Sequence, residues 1–455
     1  MNRSTVRKIA LVAAFGAAIT VGMMSAQGAK TKVVWYVGLG TGTSATQIPV
    51  EKAATERYNK SQDKIELVLE IVENQNGASQ QQLATRIAAG NAPDLVGPVG
   101  IEGAGLFKGQ WHDMDPQISK FKPDLAGMDD ALLKFYKESQ GGEGLPYAVF
   151  PSFLTINKDL FDEAKLPYPP TKVGEKYMGA TWDWNALRRV AMKLTVDANG
   201  KSANEAGFDP KKIVQYGYEP QWNTSMQSLG TAFGASSLAD ASGNAQIPAN
   251  WAAAWKFFYN GIWKDHFMAT NEVKNSDEFG KGNAFNSGKF AMGHTHLWYT
   301  CCLDGPATGK VKNFVEAVMP SYKGKTTAKL HADTFRITKG SKVKDEAFQA
   351  MWWLMQQPDL LETYGAFPAN DKFQAGFKAG IDKKYAPNKI NWTVISDALK
   401  LVDNPSHENV VPNYLKAKDI LAKYETKLFS VPTLNLEKEF ADLKGELQRA
   451  YDEKK

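Results

Sequence analysis

The densest set of chemistry-bearing side chains is a short run holding His294, His296, Trp298, Tyr299, Cys301 and Cys302. Two imidazoles at alternate positions with thiols nearby have the ligand types of a zinc site. Adjacent cysteines, however, are poorly placed to chelate one ion together, and the export signal described below takes the chain to an oxidising compartment. Because Cys301 and Cys302 are the only two cysteines, a vicinal disulfide is the preferred reading, with free thiols or intermolecular pairing as its alternatives. Beside Trp298 it is either a flat apolar platform for a ligand or a purely structural link. Gly38, Gly40 and Gly42 follow a strand-like run, but Thr43 stands where a dinucleotide loop needs glycine, and no acid closes the next strand in the usual arrangement. Walker, HExxH and GxSxG patterns are absent. No catalytic residue, metal or cofactor is therefore assigned. A carboxylate pair that meets only in the fold is invisible here, so a secreted glycosidase or lyase stays open without a positive feature.

The elements that must position these groups read as alternating strands and helices. Residues 33–37 (VVWYV) form a β-branched and aromatic strand stopped by glycines, a helix follows around 50–58, and 65–72 (IELVLEIV) is a second strand. Ser79 is placed to cap a helix in which Leu83 and Ile87 share a face, and Gly90 to end it. A strand at 94–96 follows. This order means crossover units and a mainly parallel sheet. Ligands collect at the carboxyl ends of such strands, here the loops at 38–44, 74–77 and 97–102. A second unit begins near Leu145, with helices at 184–194, 251–263, 345–357 and 436–451. In the last, Leu436, Phe440, Leu443, Leu447 and Tyr451 make one core-facing stripe.

With 455 residues, 43% of them hydrophobic and 23% charged, the chain is long enough for two domains, and disorder, collagen and a disulfide miniprotein are excluded. A formal charge of +5 without a basic run gives no nucleic-acid or anionic-membrane partner. Arg3, Arg7 and Lys8 precede an apolar run at 9–21, and Ser25, Ala26, Gly28 and Ala29 follow it. A spanning helix needs about 20 apolar residues, so residues 1–28 read as a secretory signal. No cysteine follows the run to carry a lipid anchor, so a freely diffusing periplasmic protein is expected; loss of the three cations lowers the charge to +2.

Several stretches together resemble a known family. They are 88–96 (AAGNAPDLV), 145–149 leading to 156–161 (INKDLF), 169–171 (PPT), Trp182 to Trp184 before a helix, 284–289 (AFNSGK) with Ala291 and Met292, and 339–342 (KGSK). In this order they resemble the extracellular solute-binding proteins of bacterial ABC importers, specifically the maltose-type sugar receptors. The resemblance covers nearly the whole chain after residue 28. It implies an α/β, two-lobed periplasmic-binding-protein fold of type II, each lobe a mainly parallel sheet flanked by helices, with hinge closure on a ligand held between the lobes. Crossings are expected near 148–153, near 294–298 and around the helix after Gly340. One lobe would hold 30–148 plus 300–355, the other 149–299 plus 356–455.

The same resemblance implies the site. Trp298 occupies the position of a sugar-stacking tryptophan, with His296, Cys301 and Cys302 beside it. Glu219, Gln221 and Trp222 match a pocket stretch that normally holds an acid and an aromatic residue, the aromatic being shifted here from 221 to 222. From the other lobe Thr41, Thr43, Ser44, Gln75, Asn76 and Glu102 are expected to take hydroxyls, and His331, Asp333 and Thr334 lie at a contact loop that is polar in this chain. A sugar ring has an apolar face and a rim of hydroxyls, which calls for aromatic plates and planar polar groups. Of the 12 tryptophans, Trp222 and Trp298 are assigned to the site. Trp35, Trp251, Trp255 and Trp263 are assigned to core, as is at least one of Trp352 and Trp353. Trp111, Trp182, Trp184 and Trp392 are left unassigned. The expected role is a monomeric periplasmic carbohydrate receptor delivering a mono- or oligosaccharide to a membrane ABC permease, which hydrolyses the ATP. A receptor for a non-sugar solute such as a polyamine or glycerophosphodiester is the alternative within the fold, and Glu102, Glu219 and Asp333 are its cue.

Overall fold

The computed structural model describes residues 29–73, 77–128, 133, 143–222, 226–401 and 411–453. The expected signal (1–28) and the polar pair Gln75 and Asn76 lie outside them. In chain order the strands are β1 (Thr31–Val37), β2 (Ile65–Ile71), β3 (Leu95–Val99), β4 (Leu145–Asn157), β5 (Lys176–Tyr177), β6 (Ala180–Thr181), β7 (Val196–Asp197), β8 (Ile213–Glu219), β9 (Phe290–His296), β10 (Phe314–Ala317), β11 (Ser321–Tyr322), β12 (Lys325–Thr326), β13 (Leu330–Ile337) and β14 (Phe367–Pro368). β5–β6 and β11–β12 are separate hairpins. The other ten form one mixed sheet in the order β2-β1-β3-β13-β4-β9-β8-β7, with β10 and β14 also paired to β4.

The first part of the sheet is the expected crossover unit. β1 is parallel to both β2 and β3, and the helices Ile48–Ser61 and Ala78–Ala88 make the connections. Buried on both faces, a parallel strand reads as a continuous apolar run, as β1 does. Ser79 does not cap its helix. Gly77 precedes the helix, while the Ser79 hydroxyl donates to Gly38 O at 2.8 Å and its carbonyl accepts from the Tyr36 hydroxyl at 2.7 Å. The residue thus ties the helix to the loop leaving β1. Gly90, just past the helix, takes φ +73°, the left-handed conformation that glycine adopts without penalty.

β4 joins the two parts of the sheet. All 13 of its residues are buried. Residues 145–151 pair with β13 and residues 152–156 with β9. β10 lies antiparallel along 154–157 and β14 along 148–149. β8 and β9 run parallel, so their carboxyl ends point the same way. The helix Trp184–Lys193 sits directly on β8: a Cβ on Gly217 would stand 2.0 Å from Ala191 O, so only glycine permits this approach. Helix Tyr414–Ser430 packs on Met226–Thr231, Ala249–Trp263 and Leu436–Asp452; helix Ile101–Leu106 packs on β3 and β13.

The tryptophans explain much of the core. Trp35, Trp251 and Trp255 are fully buried, and Trp255 meets Phe440 of the last helix with ring centroids 5.1 Å apart. Trp263, Trp352 and Trp353 are half-buried, and Trp353 packs on Tyr58 at 5.2 Å. Of the unassigned four, Trp111, Trp182 and Trp184 are buried, and their indole N–H groups donate to the carbonyls of Ala104, Val318 and Ala232. A buried indole needs such an acceptor. Trp392 is half-buried and donates to Asp382. No described helix is long and apolar enough to cross a membrane.

Candidate functional site

Side chains alternate across a strand, so residues two apart share a face. In β4 that face holds Ala148, Phe150, Ser152 and Leu154, whose register partners are Asp333, His331, His296 and His294. The alternation therefore sets one acid and three imidazoles on one side of the two strands flanking β4. His331 meets His296 edge-on with ring centroids 4.5 Å apart, and His296 lies parallel to His294 at 6.2 Å. Lys329, two residues before His331, joins the row and is fully buried; its backbone exchanges hydrogen bonds with Ser152. At the other end Asp333 comes up to the loops after β1 and β3: a Cβ on Gly100 would lie 3.5 Å from its Oδ1. The Asp333 side chain is nearly buried.

The row continues in aromatic rings. Past the end of β9, Trp298 stacks on His296 (5.7 Å, 16°), and Trp222 stacks on Trp298 (5.6 Å, 18°). Four rings from His294 to Trp222 thus form one stack that ends in an indole 46% exposed. Trp222 adopts φ +56°, an uncommon conformation for a bulky residue. It is held there by its indole N–H donating to Gly282 O at 3.0 Å and by Tyr299 edge-on at 5.4 Å. Gln221 is buried behind it, donating to the same carbonyl and accepting from Phe285 N. Cys301 and Cys302 are joined by a disulfide, with Cys301 exposed and Cys302 half-buried. Asn283 ties this turn to the stack, donating to Cys302 O at 2.8 Å while accepting from the Tyr299 hydroxyl at 2.6 Å.

The loop after β1 is built round Gln47, which sequence reasoning overlooked. Its side-chain oxygen accepts from Gly42 N and Ser44 N, and its nitrogen donates to Thr41 Oγ1 at 2.7 Å. Thr41 and Thr43 are half-buried, and Ser44 is exposed. Gly42 has φ +114°, and a Cβ there would collide with Glu51 Oε1 at 2.4 Å. Beneath the loop Glu51 is fully buried and accepts from the Tyr364 hydroxyl at 2.7 Å. Thr334 is buried and accepts from Arg336 Nε at 2.9 Å, apart from the row. The Glu219 carboxylate is buried against Lys274 Nζ at 3.4 Å. Glu102 is exposed and paired with Lys418.

Burial dominates the electrostatics. It raises the Asp333 and Glu51 carboxyls to about 7, and a hydrogen bond from Tyr364 only partly opposes this for Glu51. Burial holds Glu219 up as well, against the pull of Lys274. It lowers His294 to about 3 and holds His296 and His331 well below the ordinary histidine range, with Lys329 adding to the effect in each. At neutral pH the row is thus a set of neutral imidazoles that can donate or accept hydrogen bonds, beside a carboxyl poised between its two states. Among the described residues no three His, Cys, Asp or Glu groups gather as a metal site. A cavity of about 690 Å³ opens elsewhere, where helix Trp184–Lys193 meets helix Ala249–Trp263. Its aromatic rings face one another, Trp184 stacking on Phe233 at 4.6 Å, and its Arg188 is held bidentately by Asp265. The cavity therefore presents neither a free aromatic plate nor an uncommitted guanidinium.

The structure thus brings together His296, Trp298, Trp222, His331, Asp333, Cys301 and Cys302, adds His294 and Lys329 to them, and puts Gln221 behind Trp222 on the same Gly282 carbonyl, while Glu219 is buried against Lys274 and Thr334 lies apart from the row. Of the two added, Lys329 belongs to the alternating run KLHAD, in which every second residue is polar, and His294 to the all-polar run HTH, whose two imidazoles fall on one face of the strand.

Residues 53–389 match the family described as bacterial extracellular solute-binding protein. No curated protein is similar in sequence. Among solved structures, the chain resembles the ABC substrate-binding protein Lmo0181 of Listeria monocytogenes in complex with cycloalternan, at 18% identity, covering 92% of this chain and 98% of that one, with a TM-score of 0.70. It also resembles maltose-bound MalE3 of T. maritima (17%, 92% and 99%, TM-score 0.64). A third is an ABC transporter solute-binding protein of Agrobacterium radiobacter in complex with ribitol (17%, 93% and 98%, TM-score 0.66). At such identities the likeness is one of fold.

Proposed function

Since the chain belongs to the bacterial extracellular solute-binding proteins, we propose that it captures a mono- or oligosaccharide between two lobes and delivers it to a membrane ABC permease. The carrying observation is the ring stack ending in Trp298 and Trp222, continuous with the polar row of His296, His331 and Asp333. Aromatic faces take the apolar side of a sugar ring, and the row takes its hydroxyls. Cycloalternan and maltose, the ligands of two structural relatives, are of this class, and ribitol, that of a third, is the related open-chain polyol. The lobes divide at β4: β1, β2, β3, β13 and the helix Pro358–Tyr364 form one, and β7 to β10 with helices Ala249–Trp263, Tyr414–Ser430 and Leu436–Asp452 the other. In this division β10, inside 300–355, goes with the second lobe, and helix Pro358–Tyr364, inside 356–455, with the first.

Thr41, Thr43 and Ser44 reach the ligand from the first lobe, and the disulfide Cys301–Cys302 backs the indoles from the second. Glu219, Gln221 and Thr334 hold the walls. A ligand that touches both lobes favours the closed state by its differential contacts, and the permease reads that state. The protein acts without turnover, in the periplasm after export, and as a monomer. A thermal-shift screen of a sugar library tests the reading, because a ligand at a hundred times its dissociation constant stabilises the native state by about 2.7 kcal/mol. If no sugar shifts the midpoint while polyamines or glycerophosphodiesters do, the carbohydrate assignment fails.

A further inference from the structure

Glu102 stands in the first turn of helix Ile101–Leu106, which leaves the carboxyl end of β3 and packs on β3 and β13. Its carboxylate is paired with Lys418 of helix Tyr414–Ser430. That helix is packed among Met226–Thr231, Ala249–Trp263 and Leu436–Asp452, the helices on the β8–β9 side of the molecule. The two helices also touch. Among the described residues this is the one ion pair that ties the β1–β2–β3 part of the molecule to that helix layer. Its place is specific. Gly100 and Gly103, on either side of Glu102, lie against Leu39 of the loop after β1, and Gly100 also abuts Asp333. The pair therefore fastens the same loop cluster that would receive a ligand from the first lobe.

We propose that Glu102 and Lys418 form a latch that holds the two lobes together before any ligand arrives. This rests on the two-lobed hinge reading and adds to it that closure is biased electrostatically in the unliganded chain. Both side chains are nearly half exposed, at 48% and 40%, so the bias is small and screened by salt. An exposed pair of this kind shifts the closed-to-open ratio by up to about fivefold. Apparent affinity for any ligand of the closed state scales with that fraction, so the latch tunes capture without touching the ligand.

The test uses no sugar. Small-angle scattering of the unliganded full chain is recorded at about 20 mM and 500 mM salt for the wild type, Glu102→Lys, Lys418→Glu and the double swap, each checked by circular dichroism. The latch predicts that high salt and either single change lower the closed-to-open ratio up to about fivefold and increase the radius of gyration, and that the double swap restores the wild-type curve at low salt. Identical curves for all four proteins at both salts overturn it. So does a double swap that remains as expanded as the single variants. Because no ligand enters, a failed sugar screen leaves this result unaffected, and identical curves here leave the carbohydrate reading in place.

Discussion

Trp222 offers the sharpest separation of binding from folding, because its ring and its backbone do different things. The indole is 46% exposed, stacks on Trp298 at 5.6 Å and donates to Gly282 O at 3.0 Å. Truncation to alanine loses roughly 0.5–1.5 kcal/mol of ring stacking, about 1 kcal/mol of hydrogen bond and part of the ring's burial, in all about 2–3 kcal/mol of stability. The backbone adds a second effect. At φ +56° a residue with a Cβ carries about 1–2 kcal/mol of steric cost that glycine avoids, while glycine's freer unfolded chain takes back about 0.5–1 kcal/mol. Trp222→Gly is therefore expected to be more stable than Trp222→Ala, by up to about 1.5 kcal/mol. Affinity for the sugar that most stabilises the wild type should fall equally in both, by roughly two- to tenfold, since both lose the same plate. Urea denaturation gives the stabilities and calorimetry the affinities. If Trp222→Ala is the more stable variant, the backbone argument is wrong. An affinity equal to wild type in both variants removes the indole from the site.

Two further outcomes follow from the buried and covalent features. Glu51 has its folded-state value raised from 4.5 to about 7, so between these values the folded chain binds the proton that the unfolded chain has released, and stability falls as pH rises. The wild-type advantage over Glu51→Gln should shrink by about 3 kcal/mol between pH 4.5 and 7.5; denaturation curves that keep a constant offset across this range would refute it. Because Cys301 and Cys302 are paired, alkylation of the denatured chain without reductant should add no mass by intact-protein spectrometry, and two additions would show free thiols.

How much was legible in the sequence depended on where periodicity carried the information. The strands at 33–37 and 65–72 and the helices at 184–194 and 436–451 fall within a few residues of Thr31–Val37, Ile65–Ile71, Trp184–Lys193 and Leu436–Asp452. Their hydrophobic patterns state the fold directly, and the parallel pairing of β1 with β2 and β3 follows. Polar groups were harder to place. Ser79 looks like a cap because serine before an apolar-periodic run usually is one; the tertiary demand of Gly38 O claims its hydroxyl instead. Glu219 carries nothing in sequence to show that Lys274, 55 positions later, lies against its carboxylate. Nor does Glu102 foretell Lys418. Trp298 and Trp222 could each be picked out, but their stacking could not, since it depends on how the turn after β8 meets the end of β9. The row from Asp333 to His294 was half visible. The alternation is in the sequence, while the register that aligns two such strands across β4 belongs to the fold.

The central claim is that this chain binds a saccharide at the ring stack and does not transform it. The most direct measurement is calorimetric titration of the wild type and of Trp298→Ala with the library sugar giving the largest thermal shift, with a reducing-end assay on the same samples. Trp298 has both faces covered, by His296 and Trp222, so it acts by backing the exposed Trp222 plate; its loss frees that plate and should weaken sugar binding by at least about 1–2 kcal/mol, on the order of tenfold. The account predicts one sugar per chain, weakening of that order in the variant, and no new reducing ends. An unchanged dissociation constant in Trp298→Ala, or steady release of reducing ends by the wild type, would contradict it.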